Sequence, residues 1–198
     1  MSYCRLRVLN AFLLSFGVIF LAELGDKSQL TALAFAARFK PWLVLLAVTL
    51  ATLLVHAGSV VLGKAFALAL PTNLINIVAG LAFLAFAAWT LRGDTVDDST
   101  ADRPAQTDLA ALLFVGTTFF LAELGDKTML ATITLATTED PIGVWLGSTL
   151  GMVAADALAI GVGALLGARL PERAIKLFAA GAFVIFGLIL IAEGLGIL

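Results

Sequence analysis

Two identical acidic sequences are the part of the chain in which chemistry is expected. Residues 20–27 and 120–127, here called the first and second motif, both read FLAELGDK and lie 100 residues apart. Each motif contains two carboxylates three residues apart, a spacing that would place both on one face of a continuous helix. The pairs are Glu23 with Asp26, and Glu123 with Asp126. Because the motifs repeat, we expect the pairs to meet at one axis and to form a central site with four carboxylates.

The neighbouring residues add further groups that suit a cation site. Lys27 and Lys127 follow the glutamates by four residues, so we expect each lysine to form an intrahelical ion pair and to tune the charge of the site. Gly25 and Gly125 permit either close helix packing or local unwinding. Hydroxyl and amide oxygens complete the expected metal-ligand set, from Ser28, Thr128 and Gln29. Met129 stands where the first copy has an amide, so the site need not be symmetric.

A second pair of polar residues aligns between the repeats. His56 corresponds to Asp156 at the same offset, and both fall in the middle of long apolar segments. A lone buried histidine is often a packing residue, whereas a carboxylate at this depth has few structural uses. Both are predicted to take part in charge tuning or proton coupling. The case for Asp156 is the stronger one, because a carboxylate is harder to explain as a packing residue.

The balance of charge predicts a bound cation. Five acids, the four motif carboxylates and Asp156, stand against two lysines. A purely structural role is disfavoured because two lysines cannot neutralise five acids. Unpaired carboxylates in a low-dielectric medium must bind cations or protons, and burial penalises their ionised form, so protons should compete with the metal. Oxygen ligands suit Ca²⁺, Mg²⁺ and Mn²⁺, and no cysteine stands near the motifs to favour copper or zinc.

The elements that would position these residues are membrane-spanning helices. The chain has 198 residues, 61% of them hydrophobic and 13% charged, whereas about a quarter of a soluble domain is charged. Each repeat holds three apolar segments long enough to cross a bilayer. They are 9–37, 42–70 and 74–91, then 109–137, 142–168 and 174–197. The predicted fold is therefore an all-α integral membrane protein with six transmembrane helices.

Small residues indicate where these helices pack closely. Gly143, Gly147 and Gly151 are spaced four apart and so lie on one face of a helix. Such a row lets a neighbouring backbone approach. It predicts a packing surface and carries no functional implication.

Three spans per repeat predict that the two repeats are inverted. An odd number of spans makes the second repeat enter the membrane from the opposite side, an arrangement typical of secondary transporters. The predicted domains are a first repeat at 1–91, an acidic linker at 92–108 and a second repeat at 109–198.

Basic residues predict how the chain is oriented. Seven on the linker side against three on the other place the linker in the cytoplasm and both termini outside. The seven are Arg38, Lys40, Arg92, Arg103, Arg169, Arg173 and Lys176, and the three are Arg5, Arg7 and Lys64.

The doubled motif resembles the E-x-G-D-[K/R]-[S/T] signature of a membrane family of calcium and manganese transporters, found in bacterial plasma membranes, chloroplasts and the Golgi. The resemblance covers the whole chain, with two motifs, six predicted spans and an acidic linker. It implies cation/proton antiport, with Mn²⁺ or Ca²⁺ and H⁺ transported, no prosthetic group, and manganese export in the bacterial members. The short N-terminus favours a prokaryotic member in the plasma membrane. The residues carried over are Glu23, Asp26, Lys27 and Ser28, and Glu123, Asp126, Lys127 and Thr128.

Two other functions stay open on the sequence. An exporter of amino acids or other small polar solutes can share the three-plus-three architecture, although it needs groups that recognise an organic substrate. A cation-selective channel can carry acidic rings without proton coupling. An enzyme is not expected, since an intramembrane metalloprotease would need a histidine-rich zinc motif. A net charge of −2 with no basic cluster argues against nucleic acid, which leaves divalent cations, protons and membrane lipid as partners, with no oligomeric state indicated.

Overall fold

The computed structural model describes residues 2–92, 107–166 and 172–197, and within these ranges the chain folds into eight helices and no strand. The helices are α1 (Ser2–Glu23), α2 (Lys27–Ala36), α3 (Pro41–Ala69), α4 (Thr72–Arg92), α5 (Asp108–Glu123), α6 (Lys127–Thr138), α7 (Pro141–Leu166) and α8 (Glu172–Gly194). The prediction of an all-helical protein is confirmed. Most of the predicted linker, residues 93–106, lies outside the described residues.

The helices are those of a multi-pass membrane protein. Four stretches are long and apolar enough to cross a membrane: Arg5–Glu23, Pro41–Ala69, Thr72–Arg92 and Pro141–Gly161. Helices α5 and α6 pass the same test together, as one span bent by 65° at a short break. The described part of the chain therefore holds four or five candidate spans, and Ala180–Gly194 within α8 is a shorter apolar helix.

The first apolar segment of each repeat is broken, which corrects the prediction of one continuous helix. Residues 24–26 separate α1 from α2, and residues 124–126 separate α5 from α6. Each break contains a glycine in the left-handed conformation, with φ of 75° at Gly25 and 81° at Gly125. A left-handed residue ends a right-handed helix, and glycine adopts it without a steric penalty. Local unwinding, one of the two roles expected of these glycines, is confirmed.

The two halves of the chain pack mainly against each other. Helix α1 lies along α7, α3 lies along α5, α6 and α7, and α4 lies along α8. The predicted glycine row is where α7 meets α1, because a methyl group added at any of its three positions would collide with the α1 backbone. The contacts pair Gly143 with Val8, Gly147 with Phe12 and Gly151 with Phe16. The predicted close-packing surface is confirmed.

Residues related by the 100-residue offset contact each other at two places. Thr52 donates a hydrogen bond of 3.3 Å to Sδ of Met152 where α3 meets α7. The ring centroids of Phe83 and Phe183 lie 5.8 Å apart between α4 and α8. The reciprocal pairs are nearly equidistant, at 6.3 Å for Phe83–Phe186 and 6.2 Å for Phe86–Phe183. Equivalent residues of the two halves thus contact each other reciprocally.

Candidate functional site

The motif acids stand at helix ends. Glu23 is the last residue of α1 and Asp26 is the N-cap of α2, and the second motif repeats this arrangement between α5 and α6. The prediction that each pair shares one helical face is wrong, because the helix stops between the two acids. Each break instead joins the partly negative C-terminus of one helix to the partly positive N-terminus of the next. Both carboxylates of a motif therefore lie beside helix termini.

The acids of both repeats lie in one buried region. The four motif acids and Asp156 are at most 4% exposed. Glu23 is within electrostatic range of Glu123, Asp26 and Asp156. Glu123 is in turn within range of Asp126, Asp156 and Asp26. The two breaks and α7 thus bring five carboxylates from both halves of the chain into one region.

An ion pair joins the two motifs directly. Nζ of Lys127 lies 2.8 Å from Oδ1 of Asp26, and the two side chains are only 4% and 3% exposed. The predicted intrahelical pair of Lys127 with Glu123 is wrong, because the break falls between these residues. The equivalent prediction for Lys27 concerns a side chain outside the described residues. In the conformation described, the ammonium of the second motif neutralises a carboxylate of the first.

The second residue after each motif stabilises the turn in both repeats. The Gly25 amide donates to Oε1 of Gln29 over 2.8 Å, and the Gly125 amide donates to Sδ of Met129 over 3.1 Å. Nε2 of Gln29 also donates to the Ala155 carbonyl at 2.8 Å, which ties the first turn to α7. The thioether therefore takes the place of the amide as acceptor for the same backbone group. The oxygen of Gln29, predicted as a metal ligand, is engaged by the turn.

The two motifs differ in how their glutamates are held. Thr128 donates a 2.9 Å hydrogen bond to Oε2 of Glu123. In the first motif, neither oxygen of Glu23 nor the hydroxyl of Ser28 has a hydrogen-bond partner among the described residues. Both carboxylate oxygens of the buried Asp156 also lack a hydrogen-bond partner among the described residues. Buried polar atoms without partners are costly and rare, and they indicate a place for an ion, a proton or a water molecule.

The structure brings the predicted residues together without assembling a complete metal site. Within the described ranges, no three carboxylate, thiol or imidazole groups are close enough to hold one ion together. His56 is fully buried on α3, and neither ring nitrogen has a hydrogen-bond partner among the residues described. The ion pair between the motifs and the role of Met129 were not predicted from the sequence. The signal for the break itself was present, since each motif carries a glycine between its two acids.

Buried acids at broken membrane helices define a class of protein, the membrane transporters of cations. The chain belongs to the GDT1 family of divalent cation/proton antiporters, whose model matches residues 11–98 and 111–197.

Relatives from bacteria and plants support this membership. A Vibrio cholerae protein named "Putative manganese exporter" is 33% identical over 184 residues, which cover 91% of this chain and 90% of that protein. The chloroplast protein PAM71 of Arabidopsis thaliana is 33% identical over 93% of this chain and 57% of its own length. GDT1-like protein sll0615 of Synechocystis is 28% identical over 92% of this chain and 97% of its own length. The chain spans a little over half of the chloroplast relatives, and no solved structure matches it significantly.

Proposed function

We propose that this antiporter exports Mn²⁺ across the plasma membrane in exchange for protons, through one site that both repeats build. The observation that carries the proposal is the buried region of five carboxylates at the two helix breaks, in which Glu23 and Asp156 have oxygens without hydrogen-bond partners among the described residues. The name of the V. cholerae relative supports manganese as the cargo and export as the direction.

The proposed architecture has six spans in two inverted repeats, with the linker in the cytoplasm and the termini outside. Two polar contacts support it. Lys40 and Asp108 form an ion pair of 2.7 Å, and both belong to the face on which the proposed topology puts the linker. Nζ of Lys64 donates to the Glu139 carbonyl at 2.7 Å, and the topology puts both on the opposite face. The reciprocal phenylalanine contacts between α4 and α8 also support it, because inverted repeats related by a two-fold axis would produce such contacts.

The proposed ligands are oxygens of the motifs and of α7. They are Glu23, Asp26, Ser28, Glu123, Asp126, Thr128 and Asp156. Gln29 is assigned a positioning role instead, because its amide closes the first motif and anchors it to α7. An all-oxygen set of this kind suits both Mn²⁺ and Ca²⁺.

The ion pair between the motifs suggests how the cation is taken up. While Lys127 neutralises Asp26, that carboxylate is not fully available to a metal. An arriving divalent cation meets Glu23 and Asp156 first, since their oxygens have no competing hydrogen bond in the described structure. It then draws Asp26 away from the ammonium and completes its coordination. Protons take the place of the metal on the same carboxylates when the site returns empty of metal.

The helix breaks supply the moving parts. Secondary transporters bind their ions at discontinuous helices, and access alternates when the half-helices change position. Here the glycine turns at 24–26 and 124–126 are the points at which the chain can bend. Release of the Lys127–Asp26 pair on metal binding would free one motif to move relative to the other.

Flux measurements on purified protein in liposomes test this function. Mn²⁺ movement that is driven by an imposed pH gradient, and lost in Glu23→Gln, is the expected result. Metal flux that ignores the pH gradient would identify a channel, and the absence of metal flux would favour a solute exporter. A reporter fused to the C-terminus tests the topology, which a cytoplasmic signal would contradict.

A further inference from the structure

We propose that His56 supplies a nitrogen ligand to the transported cation at the second motif, and that this ligand makes the transporter prefer transition-metal ions such as Mn²⁺ over Ca²⁺. The inference rests on the proposed function and names the residue that selects among its substrates. His56 lies outside both motifs, on α3.

The first observation is that the imidazole is buried without a hydrogen-bond partner. His56 is fully buried, and neither Nδ1 nor Nε2 has a partner among the residues that the structure describes. A neutral imidazole carries one donor and one acceptor nitrogen, and a packing histidine in a core satisfies at least one of them. A nitrogen lone pair left unused in the protein interior is available to a metal.

The second observation is the register of α3 along α5 and α6, which places His56 at the level of the second motif. Lys40 pairs with Asp108, and a methyl group added at Gly116 would lie 3.7 Å from the carbonyl oxygen of Ala47. Ala47 follows Lys40 by seven residues and Gly116 follows Asp108 by eight, so the two helices run in the same direction.

The next contact along α3 is made with α6, where Gly63 packs against the backbone of Ile133. His56 lies seven residues before Gly63, which is two helical turns and therefore the same face of α3. Seven residues before Ile133 is Asp126, the second acid of the second motif. The register therefore places His56 at the level of the second motif, on the face of α3 that meets α6.

The third observation is the counterpart of His56 in the other repeat. The equivalent residue is Asp156, which lies within electrostatic range of Glu23, Asp26 and Glu123. Its neighbour Ala155 accepts a hydrogen bond from Gln29, two residues beyond the first motif. Each motif is thus served by one buried side chain from the long helix of the opposite repeat. At the first motif that side chain offers oxygen, and at the second it offers nitrogen.

The position of the pair relates these two ligands to the transport path. Thr52 and Met152 contact each other where α3 meets α7, and His56 and Asp156 each lie one turn beyond, about 6 Å along the helix axis. In inverted repeats these helices run in opposite directions, so the two ligands lie on opposite sides of the contact. A cation that enters beside Asp156 and leaves beside His56 is coordinated first by an oxygen donor and then by a nitrogen donor.

The chemistry of the donor decides the selectivity. Ca²⁺ is bound in proteins by oxygen ligands, whereas imidazole is a ligand for transition metals. An all-oxygen path would carry both ions, and one nitrogen donor penalises Ca²⁺ at the second position. The expected contribution is about tenfold in the ratio of Mn²⁺ to Ca²⁺ transport, a magnitude typical of changes at the coordination sphere of a metal.

Two measurements test the inference, both on full-length protein purified without a histidine tag. The first is the Mn²⁺/Ca²⁺ flux ratio in liposomes for wild type and for His56→Asp, which makes the two repeats alike at this position. We expect the ratio to fall about tenfold, because loss of the nitrogen donor weakens Mn²⁺ transport more than Ca²⁺ transport. An unchanged ratio in an active variant would overturn the assignment, and a wild type that moves neither ion would overturn the proposed function with it.

The second measurement does not depend on transport or on a folded variant. The chain has a single histidine, so any imidazole nitrogen detected at bound Mn²⁺ by pulsed electron paramagnetic resonance must belong to His56. A nitrogen coupling in the Mn²⁺-loaded wild type supports the inference. Bound Mn²⁺ with no such coupling refutes it, while leaving the carboxylate site and the proposed function intact.

Discussion

The ion pair between Lys127 and Asp26 predicts a large energetic coupling between the two halves of the chain. Removing one partner of a buried pair leaves an uncompensated charge and costs about 3–5 kcal/mol. Lys127→Met and Asp26→Asn should each lower the free energy of unfolding by an amount of that order in metal-free protein. The double variant removes both charges and should be destabilised by much less than the sum. Lys127 also lies within electrostatic range of Glu23 and Asp126, so part of its charge stays compensated and we place the coupling at about 2 kcal/mol.

A second ion pair between the repeats provides the matched control. Lys40 and Asp108 are 2.7 Å apart, but both side chains are 59% exposed. Exposed pairs contribute less than about 1 kcal/mol, so the Lys40→Met and Asp108→Asn cycle should show little coupling. Denaturant unfolding in detergent micelles gives the four free energies for each cycle. If the buried pair proves additive to within about 0.5 kcal/mol, the two motifs are not coupled through this contact and the uptake step proposed above is wrong.

Three further predictions follow from the packing and the motif turns. Gly147→Ala should destabilise the protein by about 1–3 kcal/mol, because the added methyl group collides with the α1 backbone. Gly161→Ala on the same helix is the control, since no atom lies within 4 Å of its added methyl group. This control should leave the midpoint of thermal unfolding unchanged or higher. Gly125→Ala should lower the free energy of unfolding by about 1–2 kcal/mol, because alanine is strained in the left-handed conformation. Gly125→Asn should lower it by less in the same assay. Equal losses in the two variants would contradict a left-handed residue at this position. Thr128→Ala should weaken Mn²⁺ binding about tenfold, because Glu123 loses its hydrogen bond. Thr128→Ser keeps the hydroxyl and should bind Mn²⁺ as wild type does. Equal Mn²⁺ affinities of the alanine and serine variants in a titration would show that the hydroxyl has no role in binding.

The sequence correctly predicted an all-helical fold with apolar helices. Burial of the motif acids followed from their place in apolar segments, and the glycine row on α7 correctly indicated close helix packing. These features are local or periodic, so they can be read from one sequence. The identical offset between the motifs also pointed to a site built by both repeats.

The geometry of the motifs could not be predicted in the same way. Glu23 and Asp26 would lie on one face only if the helix were unbroken between them. Gly25 was compatible with both an unbroken and an unwound helix, and only the folded backbone shows that it adopts a positive φ. Intrahelical pairing of Lys127 failed for the same reason. Its actual partner is about a hundred residues away, and spacing along the chain carries no information about such a contact.

The central claim is that metal and protons compete for one set of buried carboxylates, and counting protons on metal binding tests it most directly. Calorimetric titration of the purified protein with Mn²⁺, in buffers of different ionisation enthalpy near neutral pH, gives the number of protons released per ion bound. The account predicts a release of about one proton or more per Mn²⁺, reduced in Glu23→Gln. Binding of Mn²⁺ with no proton release in any buffer would contradict it.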